Sequence, residues 1–474
     1  MSKKPDLSKY KSYGLLPFER NRFALEQGPV CLLNFFKCSH SGEDETTPAW
    51  TLKKYNKLVL KLKSIVESNK WLMGSIDRTI DPKHNRLVLK TDPDPVDGHD
   101  FMEVEKFVFE AKIDENIFDF SESAKLDFTA KCKLLEPYKL KQAKDNLKDD
   151  KILSNKLFSF VVFRDHENVE SCNNIMIMMS VNHIIADGRT TYNLWEMVSE
   201  DVEVRALNRE SKEYNEEMYK HTNLCLKDGK DPMKKLPTLA MLPWMIKSYK
   251  RTGQEKYRNK VYNLVFNKEE INKIKNKYKG TNPSSSARGE WVSTNDILTS
   301  WLFSKNPKAD YVLFAIDVRQ RLKGFDLDLA GNYISIGMLR RNDHRKPTDV
   351  RNWINQNLTK KSSKIKPQGV QGPLPTFNEL KKYHGGVSTN WSTFYKSVRI
   401  DGLEHVFSTP WWGHGLWWID DINMRVLGMN VSMEDNIIIY KRNDEEVAGY
   451  IWTGSGQIDE EELLSDPMVL RRIW

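Results

Sequence analysis

The stretch Asn174-Ile-Met-Ile-Met-Met-Ser-Val-Asn-His-Ile-Ile-Ala-Asp-Gly188 decides the fold. Its apolar run from Ile175 to Met179 has the length and composition of a buried strand. The residues from about Thr190 to Val198 favour a helix. His183 and Asp187 stand between the two elements. The stretch therefore predicts a strand, a turn and a helix, with a histidine at the end of the buried strand.

His183 is the candidate general base. A neutral imidazole can take the proton of an O–H or N–H group as that group attacks an acyl carbon, because its pKa lies near working pH. The acceptor is then itself the nucleophile, so this chemistry needs no serine or cysteine nucleophile. The alternative is a turn in which Asp187 caps the helix and His183 packs, and the local pattern leaves both interpretations open.

The composition is that of a folded globular protein of two or three domains. The 474 residues are 39% apolar and 11% aromatic, which suffices to bury large cores. No run of about 18 uncharged apolar residues occurs, and the N-terminus lacks the apolar core of a signal peptide. The five cysteines form no Cys-x-x-Cys pair, and this favours a reduced, cytoplasmic location.

The charge pattern argues against a nucleic-acid partner. The net charge is +8, from 73 basic and 65 acidic residues, and the two signs are interspersed. Nucleic-acid binders concentrate positive charge on a stripe or patch. A few cations around a phosphate-bearing small molecule would account for the same excess.

Helix-like and strand-like patterns alternate along the chain. Apolar residues at helical spacing predict helices over 52–70, 269–278 and 295–303. Branched and aromatic runs predict strands over 158–164, 174–183, 311–318, 332–338, 426–431 and 436–440. Polar stretches at 280–289 and 360–372 predict loops. The fold class is therefore α/β.

The stretch from 201 to 260 separates two halves. It is charged and carries few strand signals, so we predict a long crossover between the halves. We expect an N-terminal half over 1–205, a crossover segment over 206–260 and a C-terminal half over 261–474, each half with its own mixed sheet.

Two further groups of residues suggest roles beside His183. Arg319 and Arg321 leave a predicted strand, and buried arginines usually pair with a buried carboxylate; Gly331, next to Asn332, would permit a close backbone approach. The hydroxyl of Thr389 and the indole N–H of Trp391 can donate to an oxyanion. A solvated strand end and a turn with a packed tryptophan are the respective alternatives.

Other chemistries find little support. The chain has no Gly-x-Ser-x-Gly elbow, no Gly-x-x-x-x-Gly-Lys loop and no metal-ligand spacing of His and Cys, so we expect no metal. The acidic run 92–98 resembles a calcium-binding loop, but its prolines and spacing do not fit one, so an ordinary turn is favoured. The cluster from Trp411 and Trp412 to Trp418 could line an apolar acceptor pocket or pack in the core.

Segments along the whole chain resemble, in order, those of the BAHD-type acyltransferases, within the superfamily of chloramphenicol acetyltransferase and condensation domains. The matching segments are Gly14-Leu-Leu-Pro-Phe-Glu-Arg20, the 52–70 helix with Trp71-Leu-Met-Gly-Ser-Ile76, Asn182-His-Ile-Ile-Ala-Asp-Gly188, Val265-Phe-Asn-Lys-Glu-Glu-Ile271, Ser293-Thr-Asn-Asp-Ile-Leu298 and Asp317-Val-Arg-Gln-Arg-Leu322. Six weak matches in the family's order are together a strong resemblance.

The resemblance implies two similar chloramphenicol-acetyltransferase-like domains, mixed sheets flanked by helices, with a tunnel between them. It implies a monomeric acyltransferase that takes acyl-CoA as co-substrate, needs no cofactor and acylates a small-molecule alcohol or amine. A condensation-like enzyme fed by a carrier-protein thioester, or a non-catalytic ligand-binding relative, are the alternatives.

The resemblance also assigns roles to residues. His183 matches the family's general base, and Asp187, followed by Gly188, matches a structural aspartate that pairs with an arginine. Arg319 is the expected partner, with Arg321 in reserve. Thr389 and Trp391 match a pair near the oxyanion, and Gly331 and Asn332 match a Gly-Asn pair before an inner strand.

Two departures mark a divergent member. Asn182 stands where many members have a first histidine, and it remains a candidate substrate-binding residue. The Asp-Phe-Gly-Trp-Gly segment of plant members is replaced, by spacing, by Asp401-Gly-Leu-Glu-His405. Because that segment is structural in the family, Asp401 is a candidate supporting residue.

Overall fold

The computed structural model describes residues 11–14, 29–40, 49–77, 88–91, 104–119, 128–140, 156–209, 260–279, 291–321, 325–357, 384–411 and 433–473. These residues form two compact units. The predicted loops at 280–289 and 360–372, the predicted strand at 426–431 and the acidic run at 92–98 lie outside the described residues.

The described strands and helices alternate, as the sequence predicts. The strands are β1 (Lys11–Gly14), β2 (Val30–Cys38), β3 (Ser75–Asp77), β4 (Val88–Thr91), β5 (Val108–Lys112), β6 (Phe158–Arg164), β7 (Asn174–Val181), β8 (Lys260–Phe266), β9 (Ala309–Asp317), β10 (Ile334–Arg340), β11 (His384–Asn390), β12 (Leu403–Trp411), β13 (Met433–Lys441), β14 (Val447–Thr453) and β15 (Val469–Arg472). The α-helices are α1 (Leu52–Ser68), α2 (Phe128–Leu135), α3 (Gly188–Glu196), α4 (Lys268–Lys277), α5 (Thr294–Ser304), α6 (Pro347–Asn357) and α7 (Glu460–Ser465).

A five-stranded mixed sheet forms the core of the first unit. Its strand order is β12-β2-β7-β6-β5, with β5 and β6 parallel and the other neighbours antiparallel. The apolar run of β7 is fully buried, which confirms the buried strand predicted before His183. A small sheet, β1-β4-β3, completes the strands of this unit.

A seven-stranded mixed sheet forms the core of the second unit. Its order is β10-β9-β11-β13-β14-β8-β15. The inner strand β11 runs parallel to both β9 and β13, whereas the remaining pairs are antiparallel. The strands predicted over 311–318 and 436–440 are confirmed as parts of β9 and β13.

The helix ends follow from capping side chains. The predicted 52–70 helix ends as α1 at Ser68, because Asn69 closes it and a 3₁₀ turn, Lys70–Met73, follows. Asn267 accepts main-chain N–H bonds at the start of α4, and Ser293 with Asp296 forms a capping box at the start of α5. The helices predicted over 269–278 and 295–303 are thereby confirmed.

Two segments from the C-terminal part of the chain belong to the first unit. These are Asp328–Tyr333 and Lys396–Gly413, the second of which carries β12. The N-terminal sheet is therefore completed by a strand that the sequence places far downstream. The predicted division at 205 and 260 does not anticipate these two segments, and most of the 206–260 crossover lies outside the described residues.

No helix in the described part of the chain is long and apolar enough to cross a membrane.

Candidate active site

His183 lies in a tight turn directly after β7. The Oδ1 atom of Asn182 accepts the N–H of Ile184 at 3.1 Å, and the carbonyl of Asn182 accepts the N–H of Ile185 at 3.0 Å. These bonds turn the chain away from the sheet, so the strand predicted over 174–183 ends at Val181. The imidazole is therefore carried by a turn with its own hydrogen bonds, and His183 is 9% exposed.

The main chain of His183 is bound from a distant segment. The Nδ2 atom of Asn332 donates to the carbonyl oxygen of His183 at 2.6 Å. On the other side of the turn, the N–H of Asn182 donates to the carbonyl of Leu157 at 2.7 Å. The structure thus brings the predicted residues Asn182, His183 and Asn332 together. The side chains of Asn182 and Asn332 both form hydrogen bonds with main-chain atoms of the turn.

Both oxygens of the Asp187 carboxylate accept main-chain N–H bonds. Oδ1 accepts from Thr190 at 2.9 Å, which makes Asp187 the N-cap of α3, and Oδ2 accepts from Tyr333 at 3.1 Å. The helix predicted from about 190 therefore begins at Gly188. Asp187 is 2% exposed, so these bonds are made inside the protein. Asp187 therefore caps the helix, and a second, tertiary bond accompanies the cap; whether His183 acts as a base stays a prediction.

Gly331 binds this turn from a segment far downstream in the sequence. Its carbonyl accepts the Oγ1–H of Thr190 at 3.0 Å and the N–H of Asp187 at 3.4 Å. Its φ of 137° lies in a region that L side chains rarely adopt, which explains a glycine there. Because the residues before β10 are engaged with the turn, the strand predicted from 332 begins at Ile334.

Arg209 is the residue at this turn that sequence reasoning missed. Its Nη1 atom donates to the carbonyl of Ile185 at 2.8 Å and contacts that of Ala330 at 3.4 Å. The residue is 8% exposed. No local pattern separates it from the other charges of the stretch that the sequence marks as a crossover, so only the fold identifies it.

The predicted arginines lie in a turn of the second unit. The guanidinium of Arg319 pairs with the carboxylate of Asp317 at 3.0 Å, and its side chain is fully buried. Arg321 donates from Nε to the carbonyl of Asp317 at 3.1 Å. Arg319 therefore pairs with a part-buried carboxylate of its own turn, whereas its pairing with Asp187 stays a prediction.

Thr389 and Trp391 lie at the end of β11, an inner strand of the second sheet. Ser388, the neighbour of Thr389, is buried and shares a 2.7 Å hydrogen bond with Thr299 of α5. Since side chains alternate along a strand, Thr389 faces the opposite side of the sheet, where it is part-exposed. The N–H of Trp391 donates to the carbonyl of Ile439 at 2.7 Å, and the side chain is buried.

The remaining predicted residues lie around β12. Asp401 forms an ion pair with Lys54 at 3.0 Å, at the turn that leads into the strand. Trp411 is 1% exposed at the strand's end, which agrees with core packing, the alternative to a pocket wall. Trp412 lies outside the described residues.

The described thiols are poor nucleophiles. Burial raises the pKa of Cys31, which lies 3.1 Å from Ser180 beneath the motif, to about 11. Burial likewise raises the pKa of Cys38 and of Cys172. A protonated, buried thiol is a weak nucleophile, so these cysteines are poor candidates for a reactive group.

Among the described residues, no group of three or more His, Cys, Asp or Glu side chains could hold a metal ion.

Sequence comparison with family models and with curated proteins finds no match.

Solved structures match over nearly the whole chain. The crystal structure of vinorine synthase matches with 11% identity and a TM-score of 0.55, covering 99% of this chain and 96% of that one. The first condensation domain of the calcium-dependent antibiotic synthetase matches with 9% identity and a TM-score of 0.52, covering 95% and 92%. TRI101 of F. graminearum, solved with coenzyme A and T-2 mycotoxin, matches with 9% identity and a TM-score of 0.50, covering 98% and 100%.

These structures share the two-domain chloramphenicol-acetyltransferase-like fold. Likeness at such identities establishes the fold. The chain therefore has this fold, with two mixed sheets flanked by helices, and the resemblance predicted from the ordered segments is confirmed at that level.

Proposed function

We propose that this chain, whose fold is that of the chloramphenicol-acetyltransferase-like proteins, moves an acyl group from a thioester to a hydroxyl or amine of a small molecule. The observation that carries the proposal is the His183 turn, held by Asn332 and, through Asp187, by Tyr333. An acyl-CoA is the first candidate donor, because one protein of the same fold was solved with coenzyme A and a small-molecule mycotoxin. Neither a cofactor nor a second copy of the chain is part of the proposal.

The chemical step needs one base and a pair of hydrogen-bond donors. The imidazole of His183 takes the proton of the acceptor O–H or N–H as that atom bonds to the thioester carbon. The C–S bond then breaks, and the same imidazole returns the proton to the departing thiolate. Thr389 and Trp391 are the proposed donors to the tetrahedral oxyanion.

Asp187 has a different role in this proposal. Because both of its oxygens accept main-chain N–H bonds, the carboxylate is committed to the scaffold. It sets where the turn lies and leaves proton transfer to His183.

The test is a panel of acyl-CoAs with alcohol and amine acceptors, followed by free thiol and by product mass. His183→Ala is expected to lower turnover by about 10²–10⁴-fold, the usual contribution of a general base, with an unchanged melting temperature. His166→Gln, at an exposed loop histidine, is the matched control and keeps wild-type turnover. Wild-type turnover in a folded His183→Ala variant would exclude the mechanism.

A carrier-protein donor is the second candidate. Condensation domains match with TM-scores of 0.52 and 0.51, close to that of vinorine synthase. Comparing the same acyl group on free CoA and on a carrier-protein phosphopantetheine separates the two donors. Slow release of CoA without an acylated product would instead favour a non-catalytic binding protein.

A further inference from the structure

We infer that Arg209 is a positioning residue for His183, an assignment that rests on the proposed function. Its guanidinium bridges two carbonyl oxygens, that of Ile185 at 2.8 Å and that of Ala330 at 3.4 Å. Ile185 lies two residues after His183, in the same turn. Ala330 lies two residues before Asn332, whose side chain binds the carbonyl of His183. The guanidinium therefore joins both segments that determine where the imidazole stands.

Arg209 is itself held in a fixed frame. The N–H of Asn208 donates to the carbonyl of Asp328 at 2.9 Å, and the carbonyl of Asn208 accepts the N–H of Ala330 at 2.8 Å. The N–H of Leu207 donates to Oδ1 of Asn69 at 2.8 Å, beyond the end of α1. The ring of Trp71 lies 5.7 Å from the guanidinium. Hydrogen bonds thus hold the main chain just before Arg209 against the end of α1 and against the segment 328–330.

The chemistry of the bridge suits an arginine. Both contacts come from Nη1, whose two N–H groups are held in the plane of the guanidinium and can serve two acceptors at once. Hydrogen bonds from a charged donor are stronger than neutral ones, and this donor is 8% exposed, so water competes weakly. A lysine would place one compact ammonium group there, and a methionine would leave both carbonyls without this donor.

The expected consequence is kinetic. Arg209 contacts the main chain of the turn, and a shift of about 1 Å in a catalytic group can lower the rate by about 10²-fold. We therefore expect Arg209→Met to lower kcat by about 10–100-fold with KM changed less than about threefold. Arg209→Lys is expected to recover part of kcat, because it keeps the charge and one hydrogen bond.

A neighbouring arginine supplies the matched control. Arg205 lies four residues earlier and pairs at the surface with Asp328 at 3.3 Å and Glu196 at 3.9 Å. It touches the same segment without reaching the turn, so Arg205→Met is expected to keep wild-type kcat.

A second measurement does not depend on activity. In protein with nitrogen-labelled histidine, the signal absent from His183→Gln identifies His183. Its chemical shifts and line width are expected to change in Arg209→Met, to change less in Arg209→Lys and to stay as in wild type in Arg205→Met. This signature reports the imidazole's surroundings, which a general loss of stability at a remote site would not alter.

The outcomes separate the two proposals. A wild-type protein that transfers no acyl group contradicts the proposed function, while the histidine spectra still decide whether Arg209 sets the position of His183. A folded Arg209→Met variant with wild-type kcat and an unchanged His183 signal overturns the assignment. If Arg209→Met does not fold, Arg209→Gln decides, because its neutral and shorter side chain cannot form the charged bridge: wild-type kcat and an unchanged His183 signal in that variant overturn the assignment equally.

Discussion

The carboxylate of Asp187 joins two parts of the chain that are far apart in sequence. One oxygen caps its own helix through Thr190, and the other accepts the N–H of Tyr333. The local sequence indicates that Asp187 can cap the helix after the turn, and the family resemblance implies its structural role. It cannot indicate Tyr333 as the partner, since the donor is a main-chain N–H that nearly every residue carries.

Asp187→Ala should therefore destabilise the protein more than the loss of an ordinary cap. Losing the cap costs about 1 kcal/mol, and the buried N–H of Tyr333, left without its acceptor, adds about 1–3 kcal/mol. The free energy of unfolding, measured by urea denaturation, is expected to fall by about 2–4 kcal/mol. Asp459→Ala removes the N-cap of α7, an exposed cap without a tertiary bond, and is expected to cost about 1 kcal/mol. Equal losses in the two variants would contradict the second role of Asp187.

Among the described groups that titrate near neutral pH, His344 is strongly shifted. Burial, followed by the charges of Arg345 and Arg341, lowers its pKa to about 4. The unfolded chain binds the proton at about pH 6.5, whereas the folded chain binds it only near pH 4. The contribution of neutral His344 to the free energy of unfolding is therefore fully present above about pH 6.5. It amounts to about 3 kcal/mol and is lost as the pH falls towards 4.

Replacing this imidazole should flatten that part of the pH profile. The free energy of unfolding of His344→Gln is expected to vary less between pH 7 and pH 4.5 than that of the wild type, as measured by urea denaturation at several pH values. His166→Gln, at an exposed histidine, is expected to keep the wild-type slope. An unchanged slope in His344→Gln would show that another group causes the acid sensitivity.

At the scale of elements, the helices and inner strands were predictable and their ends near the motif were not. Periodicity predicts α1 because its buried residues recur at intervals of three and four. The predictions of α4 and α5 are also confirmed, although α4 buries one residue, Ile271, and α5 is buried on most of its sides. Two strand ends differ from prediction because other hydrogen bonds take over where the apolar pattern continues: a local turn bond at Asn182 and a tertiary bond from Asn332 to His183. The tertiary bond joins two segments that are far apart in the sequence, so no local pattern indicates it.

The contact of α6 with α5 centres on one buried ion pair. Arg351 donates from Nε at 2.7 Å and from Nη2 at 2.5 Å to Oδ2 of Asp296, the capping-box residue of α5. The carboxylate side chain is fully buried. Burial raises the pKa of Asp296 in spite of the neighbouring Arg351, so the carboxylate depends on that partner to stay charged.

Arg351→Met is expected to destabilise the protein by about 3–5 kcal/mol, because it leaves a buried charge without its partner. Asp296→Asn combined with Arg351→Met should be less unstable than Arg351→Met alone, since the amide carries no charge. Arg341→Met breaks the surface pair with Asp310 and is expected to cost under about 1 kcal/mol. Strictly additive effects in a double-mutant cycle of the buried pair would contradict the coupling.

At the scale of the whole molecule, two mixed α/β halves could be predicted. The placement of two C-terminal segments, Asp328–Tyr333 and Lys396–Gly413, in the first unit could not. Strand periodicity shows that 403–411 can pair, but it does not show with which sheet. In the structure β12 pairs with β2 from Leu403 opposite Cys38 to Trp411 opposite Cys31, with one register shift between His405 and Phe407. Choosing a sheet depends on packing, and packing is not a local property of the sequence.

The fragment 1–219 should therefore fold poorly by itself. Without 396–413, the largely buried strand β2 would become an open edge, and such edges aggregate. We expect the fragment to elute as aggregates in size-exclusion chromatography, and a synthetic 396–413 peptide to raise its monomeric fraction and melting temperature. A monomeric fragment with cooperative melting that ignores the peptide would contradict this expectation.

Because β12 lies far downstream in the sequence, the ribosome also makes it long after the other strands of its sheet. The strand is made roughly 220 residues after β7 is complete. At about 5–20 residues per second, the nascent N-terminal sheet would wait about 10–40 s for its outer strand. During that interval the flank of β2 is open to chaperones or to another nascent chain, so the yield of active protein should depend on translation speed and on chaperone supply.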